Sequence, residues 1–555
     1  MTARPSGAGA RRRRIRRIAA VLQRHGLGLA AGLLGLDGWI PFNRGVLGHA
    51  ARDEPYTSPD HVRLALEELG PTFIKLGQLL STRPDLLPPD YVRELAKLQD
   101  GAPADDWESI REVLREELGA DPDEVFATFD PQPLAAASIG QAYAATRHDG
   151  TEVVVKVRRP GAVAQVTQDL EILQNLAQRA EQRWDQARQF NLPGLVDEFS
   201  RTLRAELDYL QEGRNAERFA RDFADASDVA IPRVFWETTT SRVLTLQRMR
   251  GIRIDDLTAL DAAAIDRPQL AHRGAHLILT MVFEHRFFHA DPHPGNMFVH
   301  LEGSLALIDF GMVGQLDEEV AEQLADILLA FTRADADALT TAVLALSVTK
   351  DFADRDELRA AFASFLAQYR DRPVAEINLT RLLGEVLGLL RRHHLQLPQQ
   401  TALLFKVLMM GEGLASHLDP EFDMMQALAP FSERIIRQRF SLHALAKRWA
   451  EASSDAGALL LELPRTLRQL RRVLDANGFA VHLRAQELEP LVSRAERIGN
   501  RMVAGLIAAA LINGIGELVS GNTGWRGRAR VLIGTGASVI GALGGYLLWT
   551  TRRRR

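Results

Sequence analysis

The 555-residue sequence has no cysteine. A disulfide framework, a thiolate zinc site, an iron–sulfur cluster and a cysteine nucleophile are therefore all excluded. An excess of charge of one sign is missing too. Sixty-seven Lys+Arg stand against 71 Asp+Glu, for a net charge of −4. That removes the whole-chain electrostatic footprint of a nucleic-acid binder. Nor is the chain short of core-forming residues: 46% hydrophobic and 25% charged is ordinary for a folded protein and excludes a disordered one. At roughly 150 residues per domain, the length predicts two to four domains. No repeat of solenoid period is present.

The near-neutral average hides two biased ends. Residues 1–17 carry seven arginines and no acid, and residues 552–555 are all arginine. The apolar stretch 26–36 is eleven residues long, too short for a bilayer, which takes about 20. No clear small-residue cleavage site follows it. It reads as a basic amphipathic segment rather than a signal peptide. Residues 502–520 and 531–549 are apolar stretches of 19 residues, the first with one charge, Glu517. Their length, and Gly541 and Gly545 spaced for close helix packing, predict a transmembrane helical hairpin.

Between the ends, the pattern predicts helices over 58–130, the third stopping at Gly119. Strands are expected around 134–143 and over 153–157, then long helices at 161–187 and 193–222. Short strands are expected at 232–236 and 242–247, then a helical stretch from Gly251 to about 286, and helices from 315 to 490. The implied domains are a basic segment (1–57), a helical extension (58–130), a mixed lobe (131–250), a helical lobe (251–490) and the hairpin (498–550).

The chemistry concentrates at His289-Ala-Asp291-Pro-His293-Pro-Gly-Asn296, followed thirteen residues after Asn296 by Asp309-Phe310-Gly311. A kinase catalytic loop has a base Asp, a metal-binding Asn five positions on, and an Asp-Phe-Gly after a short hairpin. Here Asp291 and Asn296 are five apart, and two apolar runs flank Glu302-Gly303. This places Asn296 and Asp309 at the ends of one hairpin as oxygen ligands for Mg²⁺, with Asp291 near the attacking group. An Asp-Phe-Gly triplet alone is weak evidence. The combination, with a strand lysine 135 residues upstream of Asp291, is rare. That lysine is Lys156, in Val-Val-Val-Lys-Val, and it matches the lysine that pairs with nucleotide phosphates. Its helical glutamate partner is expected at Glu206, with Glu198 and Glu212 as alternatives. His285, His289 and His293 are spaced by four, but Pro292 and Pro294 forbid the continuous helix that would align them on zinc. His289 and His293 are expected to orient the loop.

Two parts of an ordinary kinase are absent from the sequence. Where three glycines should cover the phosphates, Ala135-Ala136-Ala137-Ser138-Ile139-Gly140-Gln141 stands, which predicts a stiffer loop. No Ala-Pro-Glu follows Asp-Phe-Gly, so a normal protein-substrate platform is not expected.

These residues resemble the UbiB family of atypical protein-kinase-like proteins, also called the AarF or ADCK family. The likeness rests on Lys75-Leu-Gly77-Gln78, the alanine-rich loop at 135–141, Lys156, Glu206-Leu-Asp208, the 289–296 segment and Asp309-Phe-Gly311 in that order. The resemblance implies an α+β, mostly helical, two-lobed kinase-like fold with an N-terminal helical extension. It implies that Lys75 and Gln78, with Asp208, gate the active site by folding across it. ATP or ADP with Mg²⁺ would bind at Ala135, Ala136, Ala137, Ser138 and Lys156. Lys156, Asp291 and Glu206 would be catalytic, with Asn296 and Asp309 on the metal. The implied role is an atypical kinase or ATPase in ubiquinone biosynthesis at the cell inner membrane, its catalytic part cytoplasmic. Its partners would be isoprenoid quinone precursors or membrane lipid and quinone-biosynthesis enzymes, with no nucleic acid. A small-molecule or lipid kinase and a nucleotide-gated membrane scaffold are the alternatives.

Overall fold

The computed structural model describes residues 7–27, 58–98, 104–183, 190–349, 354–370 and 377–439. The chain divides into units Met1–Leu445 and Ala446–Arg555, and every described residue lies in the first.

A four-stranded antiparallel sheet is built on residue alternation. β1 (Thr128–Ala136), β2 (Gly140–Thr146) and β3 (Glu152–Arg158) run in order, and a later strand from Val243 to Gln247 pairs with β3. Val153, Val155 and Val157 are fully buried on one face of β3. A period of two then turns Val154 and Lys156 to the other face, into a cleft. The valine face is covered by a helix at Trp107–Leu118, through Ile110, Val113 and Leu114. Asp106 caps that helix by accepting from Ser109 N–H, and Gly119, at φ +77°, ends it as expected.

In chain order the first helices are α1 (Gly7–Arg24), α2 (Ser58–Leu69), α3 (Pro71–Ser81), α4 (Pro89–Leu95) and α5 (Trp107–Leu118). α1 to α4 form a bundle with α6 (Ala162–Arg183) through Ile18, Val21, Leu66, Phe73, Ile74, Leu95 and Ile172. Gly77 of α3 sits against Leu66 and Leu98, leaving no room for a side chain.

The pattern over 193–222 splits into α7 (Leu192–Glu206) and α8 (Tyr209–Asp222), because Asp208 caps the second helix by accepting from Leu210 N–H. β4 (Val229–Ala230) and β5 (Val243–Gln247) follow. The strand expected at 232–236 reduces to a single bridge, Val234 to Leu246. Pro232 removes a ladder donor there. The stretch from Gly251 is not one helix but β6 (Ile252–Arg253), α9 (Leu257–Ala262) and α10 (Arg267–Phe283), restarted by the Asp256 and Asp266 caps.

The second lobe centres on α10, whose residues 277–282 are all buried. β7 (Phe287–His289), β8 (Met297–Val299), β9 (Leu305–Leu307) and β10 (Val313–Gln315) sit on it. β8 and β9 form the expected hairpin in a sheet ordered β4-β9-β8-β6, and β7 pairs with β10. Helices α11 (Glu318–Thr332), α12 (Ala336–Leu346), α13 (Arg355–Tyr369), α14 (Leu379–Arg392), α15 (Gln399–Leu418) and α16 (Met424–Arg439) complete it.

The expected fold needs one correction. The two-lobed, mostly helical architecture is present, but among the described residues no helix is long and apolar enough to cross a membrane. Segments 502–520 and 531–549 lie outside the described residues. The described residues therefore make a kinase-like fold with no membrane-crossing helix among them.

Candidate active site

Between the lobes lies a cleft of about 730 Å³, lined by Lys75, Ala135, Ala137, Ser138, Lys156, Glu206, Asp291, Asn296 and Asp309. Residues from six separate parts of the sequence thus converge. Ala136, Gln78 and Asp208 are outside this lining. Ala136 pairs with Gln141 in the sheet, and Asp208 is the α8 cap. Gln78 donates to Leu98 O at 3.0 Å.

Lys156 meets Glu212 at 2.5 Å and Asp309 at 3.6 Å. This corrects the expected pairing with Glu206. The break before α8 puts Glu206 at the end of α7, where it meets Lys75 at 3.2 Å. Glu212 lies in the first turn of α8. Glu198 is taken by Arg83 at 2.9 Å. Burial would lower the lysine's affinity for its proton, but the two carboxylates outweigh it and raise it. Burial pushes the Glu212 carboxyl up, with Lys156 pulling it partly back.

One face of α8 holds the Asp-Phe-Gly segment. Glu212, Asn215 and Phe219, spaced by three and four, fall on one side of the helix. Asn215 donates to Phe310 O at 2.9 Å, and Phe219 packs on the Phe310 ring at 5.4 Å between centroids. Phe310 is fully buried. Asp309 is thereby turned to the cleft, its side chain 44% exposed. Its Oδ1 accepts from Gly311 N–H at 2.9 Å. Burial opposes ionisation, but Lys156 and the Gly311 amide prevail and hold the carboxyl at about 2.

The 289–296 loop is shaped by its histidines. His289 Nδ1 accepts from Asp291 N–H at 3.1 Å, and His293 Nδ1 accepts from Gly295 N–H at 3.0 Å. Burial holds His289 below its ordinary range, hence neutral. His285 instead packs edge-on against Phe223. Among the described residues no three His, Cys, Asp or Glu gather as a metal cluster. Asn296 donates to Asp291 O at 3.2 Å.

Asp291 has a partner the sequence did not announce. Lys406, on α15, donates to its Oδ1 at 2.9 Å. Burial would raise the Asp291 carboxyl, but Lys406 lowers it below the usual carboxylate range. A lone lysine 115 positions away carries no local spacing signal. Its one trace is that it is the single charge between Gln399 and Gly411.

The alanine-rich loop is a tied hairpin tip. Ala137 N–H donates to Gly140 O at 2.8 Å, and Arg159 bonds Ala137 O and Ile139 O from below. Gly140 is required, since a Cβ there would lie 2.0 Å from the Tyr209 hydroxyl.

Comparison with known proteins adds to this geometry. The ABC1 atypical kinase-like domain family matches residues 97–343, and the UbiB helical domain family matches 362–423. An uncharacterised Synechocystis protein is 36% identical over 439 residues, 78% of this chain and 75% of its own. Proteins called probable protein kinase UbiB from Xylella fastidiosa and Xanthomonas campestris are 36% identical over 463 and 466 residues. Each match covers 81% of this chain and 83% of theirs. A Mycobacterium tuberculosis protein solved in complex with erythromycin is 24% identical. That match covers 61% of this chain and 92% of the other, with a TM-score of 0.39.

Proposed function

Because the chain belongs to the UbiB family of ABC1 atypical kinase-like proteins, we propose that its cleft binds a magnesium nucleotide and breaks the terminal phosphoanhydride bond in support of isoprenoid quinone biosynthesis. The observation that carries this reading is the Lys156–Glu212–Asp309 cluster facing Asp291 across one cleft. Lys156 meets the nucleotide phosphates while Glu212 holds it in place.

The donor set fits magnesium. Asp309 is ionised at any working pH. Asn296 spends its amide nitrogen on Asp291 O, which leaves its carbonyl oxygen as the ligand. Two hard oxygens plus phosphate and water suit this ion. When bound, it neutralises charge on the β- and γ-phosphates. Asp291 orients the attacking hydroxyl or water. Lys75, on α3 and paired to Glu206, stands in the same cleft. A cover of this kind favours water or a small acceptor over a protein substrate. The cytoplasm supplies the nucleotide, and an isoprenoid acceptor or its enzymes would be met at the inner membrane.

The test has two arms. Purified protein should bind ATP or ADP only with Mg²⁺ and release phosphate, and Asp309→Asn should lose both while staying folded. A strain lacking the protein should lose isoprenoid quinone, restored by the parent chain and not by Asp309→Asn. A folded Asp309→Asn protein hydrolysing ATP at the parent rate defeats the site assignment. Unchanged quinone in the deletion strain defeats the pathway.

A further inference from the structure

The catalytic loop, 289–296, contains no lysine or arginine. Phosphoryl transfer develops charge at the attacking end as well as on the phosphates, and positioned groups there carry much of the catalysis. The cations nearest the nucleotide end are already engaged, Lys156 by Glu212 and Lys75 by Glu206. Among the described residues the Asp291 carboxylate meets one cation, delivered from far along the chain. Lys406 reaches Asp291 from α15 at 2.9 Å, with its own side chain only 18% exposed.

The helix around it is otherwise built for burial. Thr401, Ala402, Leu403, Leu404, Val407 and Leu408 are all buried. A lysine in such a run costs desolvation, which the Asp291 carboxylate offsets. The contact also divides the carboxylate's two oxygens. Lys406 takes Oδ1, which leaves Oδ2 for the group that attacks.

We propose that Lys406 is a positioning residue for phosphoryl transfer, holding the Asp291 carboxylate so that Oδ2 faces the acceptor, and that the helical domain is thereby part of the active site. The proposal rests on the reading of the cleft as a nucleotide site. In the step, the acceptor oxygen forms a bond to the γ-phosphorus while the bond from that phosphorus to the β–γ bridging oxygen breaks. The electron pair leaves with ADP, and the acceptor proton passes to Asp291 Oδ2 and on to water. A carboxylate paired to an ammonium is a weak base, so its contribution is aim rather than early proton removal. That suits a loose transition state.

The experiment compares the parent chain with Lys406→Met, Lys406→Gln and Lys406→Arg, each full length. Binding of Mg·ATP and turnover are measured separately. Lys406→Met should keep the parent dissociation constant within about twofold and lose about tenfold to a hundredfold in kcat, the scale of a misaimed catalytic group. Lys406→Arg should recover a substantial part of kcat, Lys406→Gln less. Parent kcat in folded Lys406→Met and Lys406→Gln, or equal loss of binding and turnover in all three variants, overturns the role of Lys406 alone. A parent protein that binds no Mg·ATP overturns the reading of the cleft and this proposal with it. If Lys406→Met does not fold, the Arg and Gln pair decides: equal kcat in the two overturns the proposal, and a higher kcat for Arg at equal affinity supports it.

Discussion

Replacing Lys156 by methionine removes one ammonium and keeps the side chain's length, so it isolates the charge balance of the cleft. Glu212, whose side chain is 8% exposed, then loses its 2.5 Å partner and keeps only a long contact from Phe310 N–H at 3.5 Å. Asp309 loses its cation at 3.6 Å. Breaking a buried pair from one side costs about 3–5 kcal/mol. Glu212→Gln should cost less, about 1–3 kcal/mol, because Lys156 keeps Asp309. The double variant strands no buried charge at position 212 and should lose less than the sum, with a coupling of about 0.5–3 kcal/mol. A pH dependence sharpens the test. Burial already holds the Glu212 carboxyl high, and Lys156 draws it down; without the lysine it rises further. A carboxyl raised in the folded state adds stability at low pH and loses it as pH climbs through the folded value. The Lys156→Met deficit should therefore be smaller near pH 5 than near pH 8, while that of Glu212→Gln should not grow over that range. Urea unfolding at both pH values, with m checked for constancy, measures this. Additive single effects, or a Lys156→Met deficit indifferent to pH, would refute the reasoning.

Other expectations are simpler. Arg83 is 2% exposed between Asp85 and Glu198; Arg83→Met should destabilise by about 3–5 kcal/mol in denaturant titration. Gly77→Ala places a methyl 2.2 Å from Leu98 Cδ1 and 2.7 Å from Leu66 Cδ1, and the same assay should read a loss of about 1–3 kcal/mol. The depressed Asp309 carboxyl contributes stability that is present above its ordinary range near pH 4 and lost as pH falls toward 2. Acid unfolding of Asp309→Asn should show a shallower limb over that window, and identical limbs would count against the Lys156 and Gly311 contacts.

The legible part of this protein was its local grammar. The Asp291–Asn296 spacing, the 297–307 hairpin and the valine alternation around Lys156 are short-range features, and the fold places them as their periodicity demands. The partner of Lys156 was not legible. Residues 193–222 read as one continuous helical pattern, and only the Asp208 cap breaks it and shifts Glu212 rather than Glu206 under the lysine. Lys406 was less legible still, since its meaning depends on α15 crossing to Asp291. The short strand at 232–236 reduces to one bridge because Pro232, itself visible in the sequence, removes a ladder donor. The apolar segments 502–520 and 531–549 lie outside the described residues, so their reading rests on hydropathy alone.

The ribbon formed by β7 and β10 has a consequence for control. It pairs His289 with Val313, so the 289–296 loop and the Asp-Phe-Gly segment are stitched together on the far side of both. Phe310 is locked on the near side by Asn215, Phe219 and the His289 ring. Swinging that phenylalanine out, the manoeuvre by which a switchable phosphotransferase dismantles its metal-holding carboxylate, would tear two strands and empty an aromatic pocket at once. These contacts hold the Asp-Phe-Gly segment in one arrangement. On the function proposed above, control would fall instead to the doorway, where Lys75 rests on Glu206.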